Sequence, residues 1–292
     1  MKKVIYYFSG TGNSLYAAQK IAEALGGAQL ISVRCDPQSV SAEDADVIGF
    51  ICPVYEWDVP GAFKEFIAGL AINPKAYLFM VTTYIAVLGK SFETVAELLE
   101  KKGARLHYGR ALRCVASQCI AYPPFPPEKL MLPYMDQQIK KAGREISGKN
   151  LRDYPRMSPL TRRRFGKVMG PYLAIEHEYD KGFSTDDRCR GCGICAKVCP
   201  TRNITMEDKH PSWHHHCHGC NACVAYCPTK AIQFQTPEAY RKLGTVICKM
   251  LRLPEGRKRY HHPLVQAKDL MTDRMEFLSS SAMLTDQSNN TD

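Results

Sequence analysis

The chain has 292 residues, 45% hydrophobic and 23% charged, with 39 Lys and Arg against 29 Asp and Glu for a formal net charge of +10. That length suits one ordinary domain of about 100 to 200 residues plus a smaller module, and the composition is globular, which argues against a membrane or wholly disordered protein. The basic excess is C-terminal: residues 1–147 carry 16 Lys and Arg against 14 Asp and Glu, whereas residues 148–292 carry 23 against 15.

The chain opens on the apolar run Val4 to Phe8, which stops at Ser9-Gly10-Thr11-Gly12. A secretory segment needs roughly seven to fifteen apolar residues, so this run reads as a buried strand, Lys2 to Phe8. The longer apolar stretch Ala68 to Leu88 is interrupted by Asn73, Pro74 and Lys75 and is not one spanning helix of about 20 residues. A cytoplasmic location is expected.

Periodicity then predicts a helix over Asn13 to Leu25 closed by Gly26-Gly27, and strands at Gln29 to Val33 and Asp46 to Cys52. Next come a helix from Pro60, a strand at Tyr77 to Thr83, a helix at Phe92 to Lys102, a strand near Arg105 to Cys114 and a helix at Pro133 to Ser147. Strands alternating with helices of this length imply a doubly wound parallel sheet, placing an α/β domain of five strands over residues 1–147.

Residues 148–181 read as a basic linker with one short helix near Leu160 to Met169, and they include Arg162-Arg163-Arg164. A cysteine module fills 182–236. Residues 237–292 read as a basic extension carrying Arg257-Lys258-Arg259, with a disordered polar tail from Ser279.

Two motifs carry chemistry. Between the first strand and helix, Ser9-Gly10-Thr11-Gly12-Asn13-Ser14 combines glycines that let the backbone approach closely, hydroxyl donors and a helix N-terminus. Such a loop suits a phosphate. It matches neither the dinucleotide fingerprint nor the Gly-Lys-Ser/Thr loop of nucleotide hydrolases, and a terminal monophosphate such as that of FMN fits it best.

The second motif is doubled: Cys189-x2-Cys192-x2-Cys195-x3-Cys199-Pro200 recurs 28 residues later as Cys217-x2-Cys220-x2-Cys223-x3-Cys227-Pro228. Over Cys189 to Met206 and Cys217 to Phe234, eight of eighteen positions are identical, the mark of an internal duplication. This is the ligand run for two 4Fe-4S clusters. Structural zinc sites also use Cys-x2-Cys, but they pair two such dyads, whereas each copy here has a triad and a proline-flanked fourth cysteine. Thiolate clusters would offset part of the positive charge, by about −2 for each oxidised cluster on formal counting. His214, His215, His216 and His218 read as a solvated face or a local polar shell, Trp213 as packing over a cluster, and Cys35, Cys52, Cys114, Cys119 and Cys248 as small buried hydrophobes or inert thiols.

The duplicated register resembles bacterial-type two-cluster ferredoxins, an α+β fold. The resemblance implies crossed ligation: Cys189, Cys192, Cys195 and Cys227 on one cluster, and Cys217, Cys220, Cys223 and Cys199 on the other. The first loop resembles that of flavodoxins, whose loops after the third and fourth strands grip the flavin ring. Those loops would be Pro53-Val54-Tyr55-Glu56-Trp57 and Thr82-Thr83-Tyr84, with Tyr55, Trp57 and Tyr84 as candidate ring neighbours. Here Ile85 replaces the glycine often found after the aromatic, and Ala121 to Pro127 is an unusual proline-rich segment.

Together the two parts resemble the fused flavodoxin/ferredoxin proteins of anaerobic microbes. The resemblance implies an electron carrier in which two 4Fe-4S clusters exchange single electrons with FMN, which takes one or two. The expected partner is an acidic redox protein or a small acceptor. Two other readings stay open: a flavin-dependent reductase of a small quinone-like or disulfide acceptor, and a cluster-based sensor using its arginine runs on nucleic acid.

Overall fold

The computed structural model describes residues 1–253 and 258–278. Its main body begins with β1 (Lys3–Tyr7), α1 (Asn13–Ala24), β2 (Gly27–Ser32), β3 (Val47–Pro53), α2 (Gly61–Gly69), β4 (Tyr77–Tyr84), α3 (Ser91–Glu100), β5 (Tyr108–Arg113) and α4 (Glu128–Ser147). The strands pair in parallel in the order β2-β1-β3-β4-β5. β1, β3 and β4 are near-continuous apolar runs because helices cover both faces of the sheet. Chain order reverses beside β1 and β3, which opens a crevice at the C-terminal ends of these strands.

The helices start where local chemistry allows. Leu15, Ala18, Ile21 and Ala22 give α1 one buried face, and Gly26 and Gly27, with φ of 70° and 109°, turn the chain into β2. α4 begins at Glu128 after the extended Pro127, five residues before Pro133, which is carried inside the helix while Met131 and Met135 bury the first turns.

Among the described residues the sheet has six strands, one more than expected. β10 (Arg274–Leu278) runs antiparallel along β2, pairing Met275 with Leu30 and Phe277 with Ala28. β2 is otherwise an edge with unpaired backbone groups, and the C-terminal segment satisfies them. Other parts of the linker and extension are also structured: α5 spans Pro159–Leu173, α8 Glu238–Leu251 and α9 Ala267–Met271. Arg257 and the tail from Ser279 lie outside the described residues.

The cysteine module is built on two antiparallel pairs, β6 (Phe183–Thr185) with β9 (Ile232–Phe234), and β7 (Ile204–Glu207) with β8 (His210–Trp213). Short helices α6 (Ile194–Val198) and α7 (Ala222–Ala225) carry the third cysteine of each triad and lead toward the fourth. The duplication is visible in the backbone. Gly191 and Gly219 hold φ of 65° and 62°, while Gly193 and its counterpart Asn221 hold 70° and 59°. Asparagine is among the few side chains that tolerate this left-handed region.

Candidate functional site

The crevice holds a cavity of about 360 Å³, within the size range of small-molecule pockets. Ser9, Gly10, Thr11, Asn13 and Ser14 line one end, Pro53, Val54, Tyr55 and Trp57 come from the loop after β3, and Thr83 and Tyr84 from the end of β4. Two expected residues are not brought there. Thr82 is buried in the sheet and donates to Cys52 O at 2.9 Å. Gly12 turns the other way at φ 95°, and a Cβ on it would lie 2.8 Å from the Tyr226 hydroxyl.

The loop is suited to an anion. Within it, the amides of Gly10 to Ser14 meet no protein acceptor among the described residues, whereas Leu15 N donates to Ser9 Oγ and Tyr16 N to Gly12 O. Among the described residues no Lys, Arg or His lines the cavity, so the amides and the N-terminus of α1 would hold the phosphate. Thr11 Oγ1 donates to Ser117 Oγ at 2.7 Å, and Ser14 Oγ and Thr83 Oγ1 lie 2.8 Å apart.

The loop after β3 is locally strained, since Glu56 and Trp57 hold φ of 50° and 59°. Reciprocal amide bonds between Tyr55 and Asp58, each 2.8 Å, pin it, and Gly89 leaves room for the Trp57 carbonyl. Tyr55 meets Phe8 edge-on at 5.9 Å, and burial, reinforced by Cys220, pushes its phenol well above the usual range. Tyr84 is fixed from outside by Arg113, whose Nε donates to its hydroxyl at 3.4 Å.

The eight motif cysteines fall into two groups. Cys199, Cys217, Cys220 and Cys223 line one small cavity, and Cys189, Cys192, Cys195 and Cys227 line another. Among the described residues no three His, Cys, Asp or Glu are arranged to hold a single metal ion. The cysteines ring voids instead. Burial pushes Cys195 up to about 11 and Cys220 up to about 12, so thiolates here would need the compensating charge of iron. At Cys227, burial is outweighed by backbone amides such as that of Ile232, and its thiol is lowered.

Donors for a cluster are present. Asn203 N approaches Cys199 Sγ at 3.3 Å and Gly219 N approaches Cys217 Sγ at 3.4 Å. Trp213, which lines the first of these cavities, has a buried indole N–H with no acceptor among the described residues. The histidines make a polar shell: His215 Nδ1 lies 2.9 Å from buried Asp180, His218 Nδ1 lies 3.1 Å from Glu176, and His214 Nε2 lies 2.8 Å from Thr205 Oγ1.

The cysteine module abuts the phosphate loop. A Cβ on Gly10 would lie 2.3 Å from Cys220 O and 2.9 Å from the Tyr55 hydroxyl, and Asn221 Nδ2 donates to Gln118 Oε1 at 2.7 Å. Spacing alone did not reveal several neighbours of the site. Cys114 lines the larger cavity, with burial pushing its thiol up to about 12, and Cys119 packs with Cys195, Cys199 and Cys223. The C-terminal extension returns to the loop, where His262 N donates to Thr11 O at 2.7 Å and Tyr260 to Asn13. The aromatic cluster Tyr260-His261-His262 in a polar stretch was the one available signal. Some residues of the arginine runs make local ties: Arg162 pairs with Glu93, Lys258 with Glu128, and Arg259 donates to the carbonyls of Val224 and Ile232.

A family model described as a flavodoxin domain matches residues 4–108, and one described as a 4Fe-4S dicluster domain matches residues 188–232. The chain therefore carries a flavodoxin domain followed by a 4Fe-4S dicluster domain, consistent with a fused flavodoxin/ferredoxin protein. Its second part is 46% identical over 43 residues to an uncharacterized ferredoxin of Methanocaldococcus jannaschii; the match covers 15% of this chain and 26% of that protein, so the chain spans about a quarter of that curated relative's length.

Among solved structures, a flavodoxin from the domain Archaea aligns at TM-score 0.37 and 18% identity over 51% of this chain and 98% of its own. Megasphaera elsdenii flavodoxin aligns at 0.37 and 20% over 50% and 98%. An FMN-dependent NADH-azoreductase from Bacillus anthracis aligns at 0.37 and 7% over 50% and 100%. A flavodoxin domain implies FMN and a dicluster domain implies iron-sulfur clusters, which together support an electron-transfer or redox role. Among the described residues no helix is long and apolar enough to cross a membrane.

Proposed function

We propose that this protein passes single electrons between two 4Fe-4S clusters and one FMN held on the same chain. FMN would lie in the cavity of about 360 Å³, its phosphate on the amides of Gly10, Thr11, Asn13 and Ser14 and its ring near Tyr55, Trp57 and Tyr84. One cluster would be held by Cys189, Cys192, Cys195 and Cys227, the other by Cys199, Cys217, Cys220 and Cys223, in keeping with the two cavities. The flavin supplies an exchange between one- and two-electron chemistry.

The observation that carries this reading is the seam between Gly10 and Cys220. Backbone of the loop from Ser9 to Ser14 touches backbone at Cys220, with the Tyr55 hydroxyl in the same contact, so a cluster held by Cys220 would sit beside the flavin site. The first cluster is the outward one, since Cys192 is exposed. Electrons would enter or leave there and pass through the inner cluster to FMN.

The chain's residues have supporting tasks. Amides near Cys199 and Cys217 stabilise negative charge on sulfur, which raises a cluster potential, and the half-buried Tyr55, Trp57 and Tyr84 shield the ring from water. The ties made by Arg162 and Arg259 favour this role over nucleic-acid binding, because part of the basic surface is engaged within the fold.

The test is to purify the chain without oxygen, count iron and flavin, and mix it rapidly with a one-electron reductant. About eight iron and one FMN per chain are expected from two cubanes and one flavin. Flavin and cluster absorbance should then change together. Zinc in place of iron, no bound flavin, or clusters that reduce without the flavin following would overturn the reading.

A further inference from the structure

The flavin cavity is not walled by the flavodoxin-like unit alone. Met169 of α5 and Leu243 and Ile247 of α8 form part of its lining, alongside Tyr122 and Phe125 from the proline-rich segment. These side chains are uncharged, and Glu56 is the one acid among the described residues that line the cavity.

Each helix is seated by contacts of its own. Ser158 caps α5, and buried Glu93 of α3 accepts from Met157 N at 3.1 Å while pairing with Arg162. Phe165 of α5 packs on Trp57 at 6.5 Å, with Lys90 Nζ 5.3 Å from its ring centre. α8 lies so close to the chain at Ala121 that a Cβ on Gly244 would come within 2.0 Å of Ala121 O. Two segments from outside the flavodoxin-like unit thus press apolar side chains onto the cavity where a flavin ring would lie.

We propose that α5 and α8 wall off the flavin, so that small, flat, uncharged acceptors of the quinone class react with it directly while protein partners exchange electrons at the clusters. The proposal rests on the placement of FMN given above. A quinone acceptor gains two electrons and two protons to become a hydroquinone, and the flavin is reoxidised with loss of the same two electrons and two protons. A one-electron protein donor of the ferredoxin class, acting twice through the clusters, restores the electrons, and solvent restores the protons. The walls select by size and polarity: burial of a flat apolar ring is favourable here, whereas a charged group would be desolvated without a partner.

The test uses the fully loaded protein, reduced and freed of excess reductant. It is mixed with 1,4-benzoquinone or with the same quinone tethered to dextran; flavin is followed by absorbance and the reduced clusters by freeze-quenched electron paramagnetic resonance. Free quinone should oxidise the flavin at least about tenfold faster than tethered quinone, equivalent to about 1.4 kcal/mol in barrier. Tethered quinone should oxidise the clusters before the flavin.

Gly244→Leu, which forces α8 from Ala121, and the double variant Leu243→Ser/Ile247→Ser, which removes apolar wall without adding bulk, should erase that difference. Both should also speed release of oxidised FMN to excess apoflavodoxin by about tenfold, because closure acts mainly on dissociation. Equal flavin oxidation by the two quinones in the unaltered protein, or unchanged FMN release in both variants, would overturn the proposal. A chain that takes up no FMN would overturn the placement beneath it, which the flavin count shows before any quinone is added.

Discussion

The hydroxyl of Tyr260 donates to Asn13 Oδ1 at 2.9 Å, joining the C-terminal extension to the first residue of α1 across 247 positions of sequence. The other end of the same amide is used as well, since Asn13 Nδ2 donates to Val115 O at 3.1 Å. Asn13 is therefore oriented from two distant segments, and with it the last turn of the phosphate loop. Tyr260→Phe leaves Asn13 Oδ1 buried without that donor, which should lower stability by about 1 to 3 kcal/mol. FMN binding, measured by quenching of flavin fluorescence, should weaken severalfold. Unchanged affinity with unchanged stability would show that the extension has no part in ordering the loop.

Gly10 tests the seam itself. An added methyl would meet Cys220 O at 2.3 Å, backbone against backbone with no flexible side chain to yield, so Gly10→Ala must push the cluster loop from the phosphate loop. Overpacking of this kind costs about 1 to 3 kcal/mol. Stopped-flow reduction of flavin by the clusters should slow by about tenfold or more, equivalent to about 1.4 kcal/mol in barrier. Iron content should stay at the wild-type value; a variant that keeps the wild-type rate would argue against electron passage at this contact.

Crossed ligation gives a prediction that local sequence order does not. Cys199 follows the first triad but lines the cavity of Cys217, Cys220 and Cys223. Cys199→Ala should damage the inner cluster and leave the outer one, and Cys227→Ala should do the reverse. Paramagnetic resonance of the reduced variants, with iron counted, distinguishes the two, because loss of the outer cluster leaves the inner signal beside the flavin. The opposite pattern would mean that each run holds its own cluster.

His262 makes stability depend on pH. Burial lowers its pKa from 6.5 to about 4, outweighing Asp136, which raises it, and adding to the lowering effect of neighbouring His261. The ring stacks on Tyr16 at 4.0 Å as a neutral imidazole. Between pH 6.5 and about 4 the unfolded chain binds a proton that the folded one does not, so stability rises with pH through this window. The contribution is complete above 6.5 and is lost on acidification to about 4, by at most about 3 kcal/mol for a shift of this size. Urea unfolding at pH 7 and pH 4.5 should show this loss in the native chain and a smaller one in His262→Gln. Equal pH dependence in both would remove the assignment.

Much of the sheet was legible because its signals are local. Apolar runs at Val4, Val47 and Leu78 and the glycines after α1 mark buried strands and a helix end within a few residues of their observed bounds. β10 is a five-residue segment, Arg274 to Leu278, whose polar/apolar alternation is too short to mark a strand by itself, and the open edge of β2 makes it one. Thr82 and Gly12 adjoin site residues in sequence, yet the pleat of β4 and a left-handed turn direct them away from the cavity.

The duplicated cysteine register and the loop from Ser9 to Ser14 are properties of the sequence by itself, because ligand spacing and a glycine-rich strand-to-helix turn are set by neighbours along the chain. Tertiary structure decided which four cysteines share a cavity, that Cys220 rests on Gly10, and that Met169, Leu243 and Ile247 wall the larger cavity. Those relations join residues tens to hundreds of positions apart, and packing, rather than local propensity, brings them within contact.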